Sequence, residues 1–317
     1  MTSQQTAGAD RFAVAGNVAE AVLSGMAHRG DRPALQDLDR GGDIGFPRLA
    51  RTVRAAARGL RRHGLRAGDS VGVDLTPGPA CLAAAYAVLA AGGVLTPVGA
   101  DPDTDAAALS ARDTRLLLAA PGRAGAATAL AERSRVRQTV TMAATPGTIP
   151  FTTLIDDGEA GANAGPTPGG GPSSGDARGV SAEVPALWAP GADRAYDHRA
   201  LGKRMRRLAH LVPLAETDTV LVAGPAADGA GLVAVVSLAL ARGATVLTAA
   251  GMDAERCRRL LADREIRLAL VPAPVVHALG TPRLPGDLPS LAALLSPAPA
   301  LLATPDAPSP RPAAAFC

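Results

Sequence analysis

The sequence predicts an α/β fold, with two lobes of mostly parallel sheet flanked by helices. Short apolar runs typical of buried strands alternate with longer segments of helical periodicity, and the alternation recurs on both sides of a run rich in Gly, Pro and Ser. Strands separated by helices in this way form βαβ units, in which neighbouring strands are parallel. The 317 residues are enough chain for two such lobes.

The clearest helix of the first lobe covers residues 48–63. Leu49, Val53 and Leu60 recur on one side at helical spacing, and five arginines occupy the other side. Those arginines could contact nucleic acid, but a solvated helix face is the commoner role of such a row, since no second basic element accompanies it. The other elements predicted here are a helix at 17–28, strands at 33–36 and 70–75, a helix at 80–91, strands at 94–98 and 115–119, and a helix at 122–133.

The composition changes between Asp157 and Ser181. The run at 165–175 has no periodic apolar residues and predicts a flexible linker or surface loop. We therefore divide the chain into a first lobe (1–156), a linker (157–184), a second lobe (185–302) and a disordered tail (303–317). The second lobe is predicted to contain strands at 184–188, 219–223, 245–247 and 268–271, and helices at 198–211, 231–241, 253–264 and 274–279.

Composition limits the classes of function. Only 2% of the residues are aromatic, which argues against the stacking platforms of single-strand nucleic-acid binding, and the net charge of +3 does not require a polyanionic partner. Cys81, Cys257 and Cys317 lie far apart, which fits a reduced, cytoplasmic protein without a disulfide framework or a metal motif. Prolines and glycines interrupt the uncharged stretch at 75–100, so we expect a buried helix and strand there rather than a membrane span.

Several strings, taken in order, resemble the adenylate-forming superfamily, which includes acyl-coenzyme A synthetases and the adenylation domains of peptide synthetases. Gly64-Leu-Arg-Ala-Gly-Asp-Ser-Val71 is similar to the family turn G-L-x-x-G-D-x-V. Residues 84–97, AAYAVLAAGGVLTP, are similar to the passage A-x-L-A-x-G-A-x-x-x-P. Together the matching strings extend over about 270 residues, the others lying at 31–35, 46–49, 238–247, 270–274 and 288–300.

The resemblance implies the fold of the N-terminal part of these enzymes and a two-step reaction. In the family, a carboxylate attacks the α-phosphate of ATP to give acyl-AMP and pyrophosphate, and the acyl group then passes to a thiol. ATP with Mg²⁺, and coenzyme A, are therefore the cofactors that the resemblance implies. Such chemistry needs a loop that holds the β- and γ-phosphates, with the family pattern S/T-S-G-T-T-G-x-P-K-G.

The resemblance places that phosphate loop within residues 187–198. Gly191 matches the approach to the loop, and His198 matches the histidine that often follows it. Pro190 stands where a serine is expected and has no N–H, while Asp193 replaces a hydroxyl. A carboxylate about 4 Å from a phosphate opposes binding by about 4 kcal/mol per unit charge at an effective dielectric constant of 20. We therefore interpret Gly191, Asp193 and His198 as positions of a lost phosphate loop.

A second placement of the loop, at residues 173–180, has suitable glycines and Arg178 in place of the lysine, but no strand precedes it and no helix follows directly.

Residues 225–232 resemble the family string P-x-F-H-x-x-G-L, which lines the acyl pocket. Asp228 takes the place of the histidine, and Gly231 matches the glycine. An Asp at this position is more often a helix N-cap than a pocket residue.

Residues 301–317 contain no match to the family's Y-G-x-T-E segment, its ribose-binding aspartate or its catalytic lysine, so no catalytic or metal-binding residue is assigned. The sequence predicts a truncated, catalytically impaired relative of acyl-coenzyme A synthetases, a pseudoenzyme whose partners would be an acyl substrate or a carrier protein. One alternative is a functional acid–thiol ligase completed by another chain. The other is a non-enzymatic interaction module. Apolar surface near 288–302 is expected to favour self-association.

We expect limited proteolysis to cut the chain within residues 157–184 before it cuts within residues 70–119. A segment without apolar periodicity is accessible to proteases, whereas buried strands and helices are protected. Mass spectrometry of the first fragments checks this. Early cleavage within residues 70–119 would contradict the division into two lobes.

Overall fold

The structure, a computed structural model, describes residues 16–99, 101–163, 181–189, 194–224, 229–279 and 293–295. Within these ranges the strands are β1 (Pro33–Asp37), β2 (Asp43–Gly45), β3 (Ser70–Asp74), β4 (Val94–Val98), β5 (Leu116–Ala119), β6 (Gln138–Thr141), β7 (Ile149–Pro150), β8 (Pro185–Trp188), β9 (Ala195–Asp197), β10 (Thr219–Ala223), β11 (Thr245–Ala249), β12 (Ile266–Leu270) and β13 (Ala293–Leu295). The helices are α1 (Val18–Leu23), α2 (Phe46–Arg62), α3 (Pro79–Ala91), α4 (Pro102–Ala111), α5 (Ala124–Glu132), α6 (Phe151–Asn163), α7 (His198–Leu211), α8 (Gly229–Arg242), α9 (Ala254–Asp263) and α10 (Ala273–Leu279).

The strands form two mostly parallel sheets, as the sequence predicts. The first sheet has the order β7-β6-β5-β3-β4-β8-β9 and the second the order β13-β12-β10-β11-β1-β2. Only the hairpins β1–β2 and β8–β9 are antiparallel pairs among the described strands. None of the helices in the described part of the chain is long and apolar enough to cross a membrane.

The two sheets do not follow the two predicted lobes. β1 lies in the second sheet, where Leu35 pairs with Val246, and β8 lies in the first sheet, where Leu187 pairs with Leu95. The predicted boundary at residue 157 falls inside α6, so residues 157–163 form a helix rather than a linker. Apolar pattern identifies a strand locally, but its pairing partner is decided by the tertiary structure.

Several elements escaped the pattern analysis. The helix predicted at 17–28 is α1 followed by a 3₁₀ turn at Met26–His28, because Gly25 interrupts the helix. α4 has no apolar periodicity and is fixed instead by its start, where the Asp101 carboxylate accepts a hydrogen bond of 2.9 Å from the Thr104 N–H and Pro102 occupies the first turn. Also unpredicted were β2, β6, β7, α6, β9 and β13.

Helices α3 and α8 form the centre of the molecule. Both are apolar on all sides, and nearly all of their residues are buried in the largest core cluster, together with side chains from both sheets. The Tyr86 hydroxyl of α3 and the Ser237 hydroxyl of α8 form a buried hydrogen bond of 2.5 Å. Two smaller clusters cover the other faces of the sheets: α4 and α5 pack on the first sheet, and α9 and α10 pack on the second.

The arginine row of α2 is more than a solvated face. Arg61 donates to the carbonyl of Ala90 near the end of α3, and Arg54 donates to the carbonyl of Leu23 at the end of α1. Arg58 donates to the Gly158 carbonyl of α6. The last carbonyls of a helix have no partner within it and attract cations, so Arg54 and Arg61 connect α2 to two helix ends.

The expected linker residues 164–180, the tail at 303–317 and most of the apolar run at 288–302 lie outside the described residues. Of that apolar run, Ala293–Leu295 is described, and it pairs with β12 as strand β13.

Helices α2 and α6 cross with their backbones in contact. A Cβ atom added to Gly158 would lie 1.8 Å from the Ala55 carbonyl oxygen, and one added to Gly59 would lie 1.9 Å from the Leu154 carbonyl oxygen. Neither helix can accept a side chain at this crossing without moving away from the other. The glycines therefore set the distance between the two helices.

We expect Gly158→Ala to lower the free energy of unfolding by about 1–3 kcal/mol or more, because the added methyl group must push α6 away from α2. The matched control is Gly125→Ala in α5, where a Cβ meets nothing within 4 Å. The control should be neutral or stabilising by up to about 1 kcal/mol, since Ala favours a helix more than Gly does. Urea denaturation measures both, and equal stabilities of the two variants would contradict the close crossing.

Candidate functional site

The hairpin β8–β9 presents the segment in which the phosphate loop was expected. Leu187 pairs with Tyr196 and Trp188 pairs with Ala195, and the Ala189 N–H then donates a hydrogen bond of 2.9 Å to the Arg194 carbonyl. This last bond closes the hairpin around only four residues, 190–193. The candidate site is therefore the end of this hairpin and the elements around it.

The start of α8 packs directly beside this hairpin. A Cβ atom on Gly229 would lie 3.2 Å from Leu187 in β8, 2.9 Å from Leu75 just after β3 and 3.1 Å from Pro97 in β4. These contacts place the beginning of α8 against the carboxyl end of the first sheet. The structure thus places the start of α8 next to β8, the strand that precedes the expected loop.

Two of the five predicted site residues can be placed. Gly231 is half-buried in the first turn of α8, and His198 is the first residue of α7. Gly191, Asp193 and Asp228 lie outside the described residues. Their assignment to a degenerate phosphate loop and to an acyl pocket stays a prediction.

His198 is fully buried and holds two helices together. Its Nδ1 accepts a hydrogen bond of 3.3 Å from the Val18 N–H, one of the N–H groups at the start of α1 that have no partner within the helix. The neighbouring Asn17 side chain accepts from the Ala19 N–H. His198 and Asn17 together cap α1, which gives His198 a structural role.

Burial keeps the imidazole of His198 neutral. The pKa of His198 falls to about 4, because desolvation disfavours the charged ring and outweighs the opposing effect of the Asp197 carboxylate. Since Nδ1 accepts a hydrogen bond from a backbone N–H, the neutral ring carries its proton on Nε2. That nitrogen is buried and has no hydrogen-bond partner among the described residues.

Cationic side chains surround Tyr196 beside the loop. The Arg204 guanidinium lies 4.7 Å from the Tyr196 ring centre and donates to its hydroxyl, and Arg194 lies 5.5 Å from the same centre. Arg199 forms an exposed ion pair with Glu183. Arg194 follows the loop directly, so it is the described cation best placed to meet an anion there.

The residues at this site do not fit the polyphosphate of ATP. The Ala189 N–H, which precedes the loop, is already bonded within the hairpin, and His198 is buried in a cap. Pro190 has no N–H to donate, and Asp193 adds a negative charge. No lysine follows until Lys203, which is exposed within α7. We therefore derive no chemical step through ATP, Mg²⁺ or coenzyme A at this site.

Comparison with known proteins identifies the family. The sequence pattern of the AMP-binding enzymes matches residues 24–169. These residues belong to the AMP-binding enzyme family. No curated protein matches the chain.

Solved structures show that the fold of this family extends over most of the chain. A benzoate CoA ligase from Burkholderia xenovorans superimposes with a TM-score of 0.68 at 20% identity, covering 88% of this chain and 55% of the ligase. A long-chain-fatty-acid-CoA ligase from Archaeoglobus fulgidus gives 0.69 at 15% identity, covering 88% and 56%. A red-emitting luciferase from Phrixothrix hirtus gives 0.71 at 13% identity, covering 89% and 56%. The chain therefore spans about half the length of these proteins.

One polar cluster was missed by the sequence analysis. Asp74, Asp105 and Arg123 converge at the carboxyl end of the first sheet, where Arg123 Nε lies 2.9 Å from Asp74 Oδ2. The three residues are spread over 50 positions and form no motif. An Asp as the last residue of a buried strand was the only signal that could have drawn attention to Asp74.

We expect the stability of the protein to depend on pH through His198. A histidine whose pKa is lowered on folding stabilises the protein fully above its unfolded value of about 6.5, and this contribution is lost as the pH falls towards 4. The loss should reach about 3 kcal/mol, because one pKa unit corresponds to about 1.4 kcal/mol.

The measurement is urea denaturation between pH 4 and pH 7.5 of the wild type and of His198→Asn, whose amide oxygen can still accept from the Val18 N–H. The variant should lose less stability than the wild type as the pH falls. The exposed His210→Asn serves as the control and should follow the wild type. A constant difference between wild type and His198→Asn across this range would contradict the buried neutral ring.

Proposed function

We propose that this protein is a catalytically impaired member of the adenylate-forming ligases, which does not by itself activate a carboxylate with ATP. The observation that carries the proposal is the short hairpin between β8 and β9. Its closing hydrogen bond between Ala189 and Arg194 leaves four residues for the loop, whereas the family pattern for phosphate binding occupies ten positions.

A loop of this length and composition supplies few groups for a polyphosphate. Phosphate binding in such loops depends on several backbone N–H groups directed at the oxygens and on a cation that offsets their charge. Pro190 removes one N–H, and Asp193 carries the wrong charge. Arg194 offsets one unit of negative charge only.

The framework around the loop is nevertheless intact. Asp197 caps α7 by accepting a hydrogen bond of 2.6 Å from the Ala200 N–H, His198 caps α1, and the start of α8 packs closely on the first sheet. These satisfied helix ends support a folded protein that has kept its architecture. The proposal is that this architecture serves to bind an acyl group or a carrier protein rather than to catalyse adenylation.

We expect Mg-ATP to bind with a dissociation constant no lower than about 1 mM, which corresponds to only about −4 kcal/mol of binding free energy. Isothermal titration calorimetry measures this. The fluorescence of Trp188, the only tryptophan of the chain, gives a second readout because it lies two residues before the loop. Carboxylate-dependent exchange between ATP and pyrophosphate should be absent.

The double variant Pro190→Ser, Asp193→Thr should not restore ATP binding, because the loop still lacks the G-x-P-K-G half of the family pattern, with its lysine. The control Arg194→Gln tests whether any residual binding uses this site. Micromolar binding of Mg-ATP that Arg194→Gln weakens would overturn the proposal. That result would favour a functional ligase whose remaining elements come from another chain.

A further inference from the structure

A small cavity lies at the carboxyl end of the first sheet, beside the neighbouring strands β3 and β5. Its volume is about 50 Å³, and β3, β4, β5, α4 and α5 all contribute to its wall. After β3 the chain continues into α3 on one face of the sheet, and after β5 it continues into α5 on the other. Ligands of parallel α/β sheets bind at the carboxyl ends of strands whose connections diverge in this way.

This cavity is separate from the hairpin site. Asp74 and Val98 line the cavity. Leu75, which follows Asp74, and Pro97, which precedes Val98, instead approach Gly229 of α8. Successive side chains of a strand point to opposite faces of the sheet. The cavity therefore opens on the α4–α5 face, and the hairpin site lies on the α8 face.

Both carboxylate oxygens of Asp74 already have partners. Its Oδ2 lies 2.9 Å from Arg123 Nε, and its Oδ1 accepts hydrogen bonds from the backbone N–H and the hydroxyl of Thr76, at 3.1 and 2.6 Å. Only 6% of Asp74 is exposed. The single guanidinium at the cavity is thus paired with this first carboxylate.

Asp105 is a second carboxylate at the cavity, and only one of its two oxygens accepts a hydrogen bond from the described residues. It is 7% exposed, and its Oδ2 accepts a hydrogen bond of 2.7 Å from the Gly99 N–H. Its Oδ1 accepts no hydrogen bond from the residues that the structure describes, and this oxygen remains accessible to solvent. Burial raises the pKa of Asp105, and the Asp101 and Asp74 carboxylates add to this, while the Gly99 N–H and Arg123 oppose it.

Among the described residues that line it, the cavity therefore holds two carboxylates and one arginine, so one negative charge has no matching cation there. A buried charge is costly unless it is paired, so this position favours a positively charged ligand. Its remaining wall is largely apolar, with side chains such as Leu117, Ala127 and Leu130. A volume of about 50 Å³ admits only a few heavy atoms, since a cavity that takes up benzene measures about 150 Å³.

We propose that this cavity binds a small monovalent cation at Asp105, either an inorganic ion such as potassium or the ammonium group of a short primary amine. An ammonium group would donate to the open Oδ1 of Asp105 and place its alkyl chain against the apolar wall. No group of three or more metal-ligating side chains exists among the residues that the structure describes, and Arg123 adds positive charge nearby, so a divalent metal ion fits poorly.

The test measures the thermal stability of the full chain with added probes at constant ionic strength. The probes are ethylammonium, potassium, neutral ethanol, and choline as a cation too large for the cavity. A ligand that binds only the folded state raises the melting temperature in proportion to its occupancy. We expect ethylammonium or potassium to raise it at millimolar concentration, and ethanol and choline to have no effect.

The decisive variant is Asp105→Asn. Its amide oxygen can still accept from the Gly99 N–H, but the amide places no charge in the cavity. We expect the affinity for the active cation to fall about tenfold or more, because a charge-assisted hydrogen bond is lost. The matched control is Asp103→Asn, which removes the same charge from an exposed position of the same helix α4 and should bind as the wild type does.

The arms of the experiment separate the outcomes. Protection by ethylammonium alone identifies an amine site, and equal protection by potassium identifies a site for inorganic cations. Protection by choline or ethanol, equal losses in Asp103→Asn and Asp105→Asn, or no protection by any probe would overturn the proposal. If Asp105→Asn does not fold, Ala127→Leu fills the cavity without changing its charge, and unchanged binding in that variant would also overturn it.

Discussion

The architecture depends on the burial of helices α3 and α8. Both are apolar around their whole circumference, so neither can lie on a surface with one face in water. Covering such helices requires apolar surface on two opposite sides, and the two sheets provide it. The buried hydrogen bond between Tyr86 and Ser237 satisfies polar groups where the two helices meet, in a region that water does not reach.

Each sheet contains one hairpin from the other half of the chain: β1–β2 lies in the second sheet, and β8–β9 lies in the first. β1 and β2 precede the first sheet in the chain but extend the second one, on the far side of the central helices. Arginines next to β1 strengthen this connection: Arg29 pairs with Glu216 at 2.8 Å, and Arg32 donates to the Glu216 carbonyl at 2.8 Å. The N-terminal strands are therefore part of the unit formed by residues 219–270, although more than 170 residues separate them in sequence.

The carboxyl ends of β3 and β4 contribute to two regions of different chemistry. On one face, Leu75 and Pro97 form the base on which the start of α8 rests beside the shortened hairpin. On the other face, Asp74 and Val98 line the cavity that contains Asp105 and Arg123. The sheet itself separates the two regions.

The sequence by itself determined the fold class and the resemblance to AMP-binding enzymes, and it predicted where an altered phosphate loop would lie. These rest on local features: apolar periodicity for helices such as α2, the string at residues 64–71, and the chemistry of Pro190 and Asp193. Only the tertiary structure decided that β1 belongs to the second sheet, that Gly59 and Gly158 let two helices touch, and that Asp74, Asp105 and Arg123 meet. Strand pairing, helix contact and charge clustering join residues that are distant in sequence, so no local pattern records them.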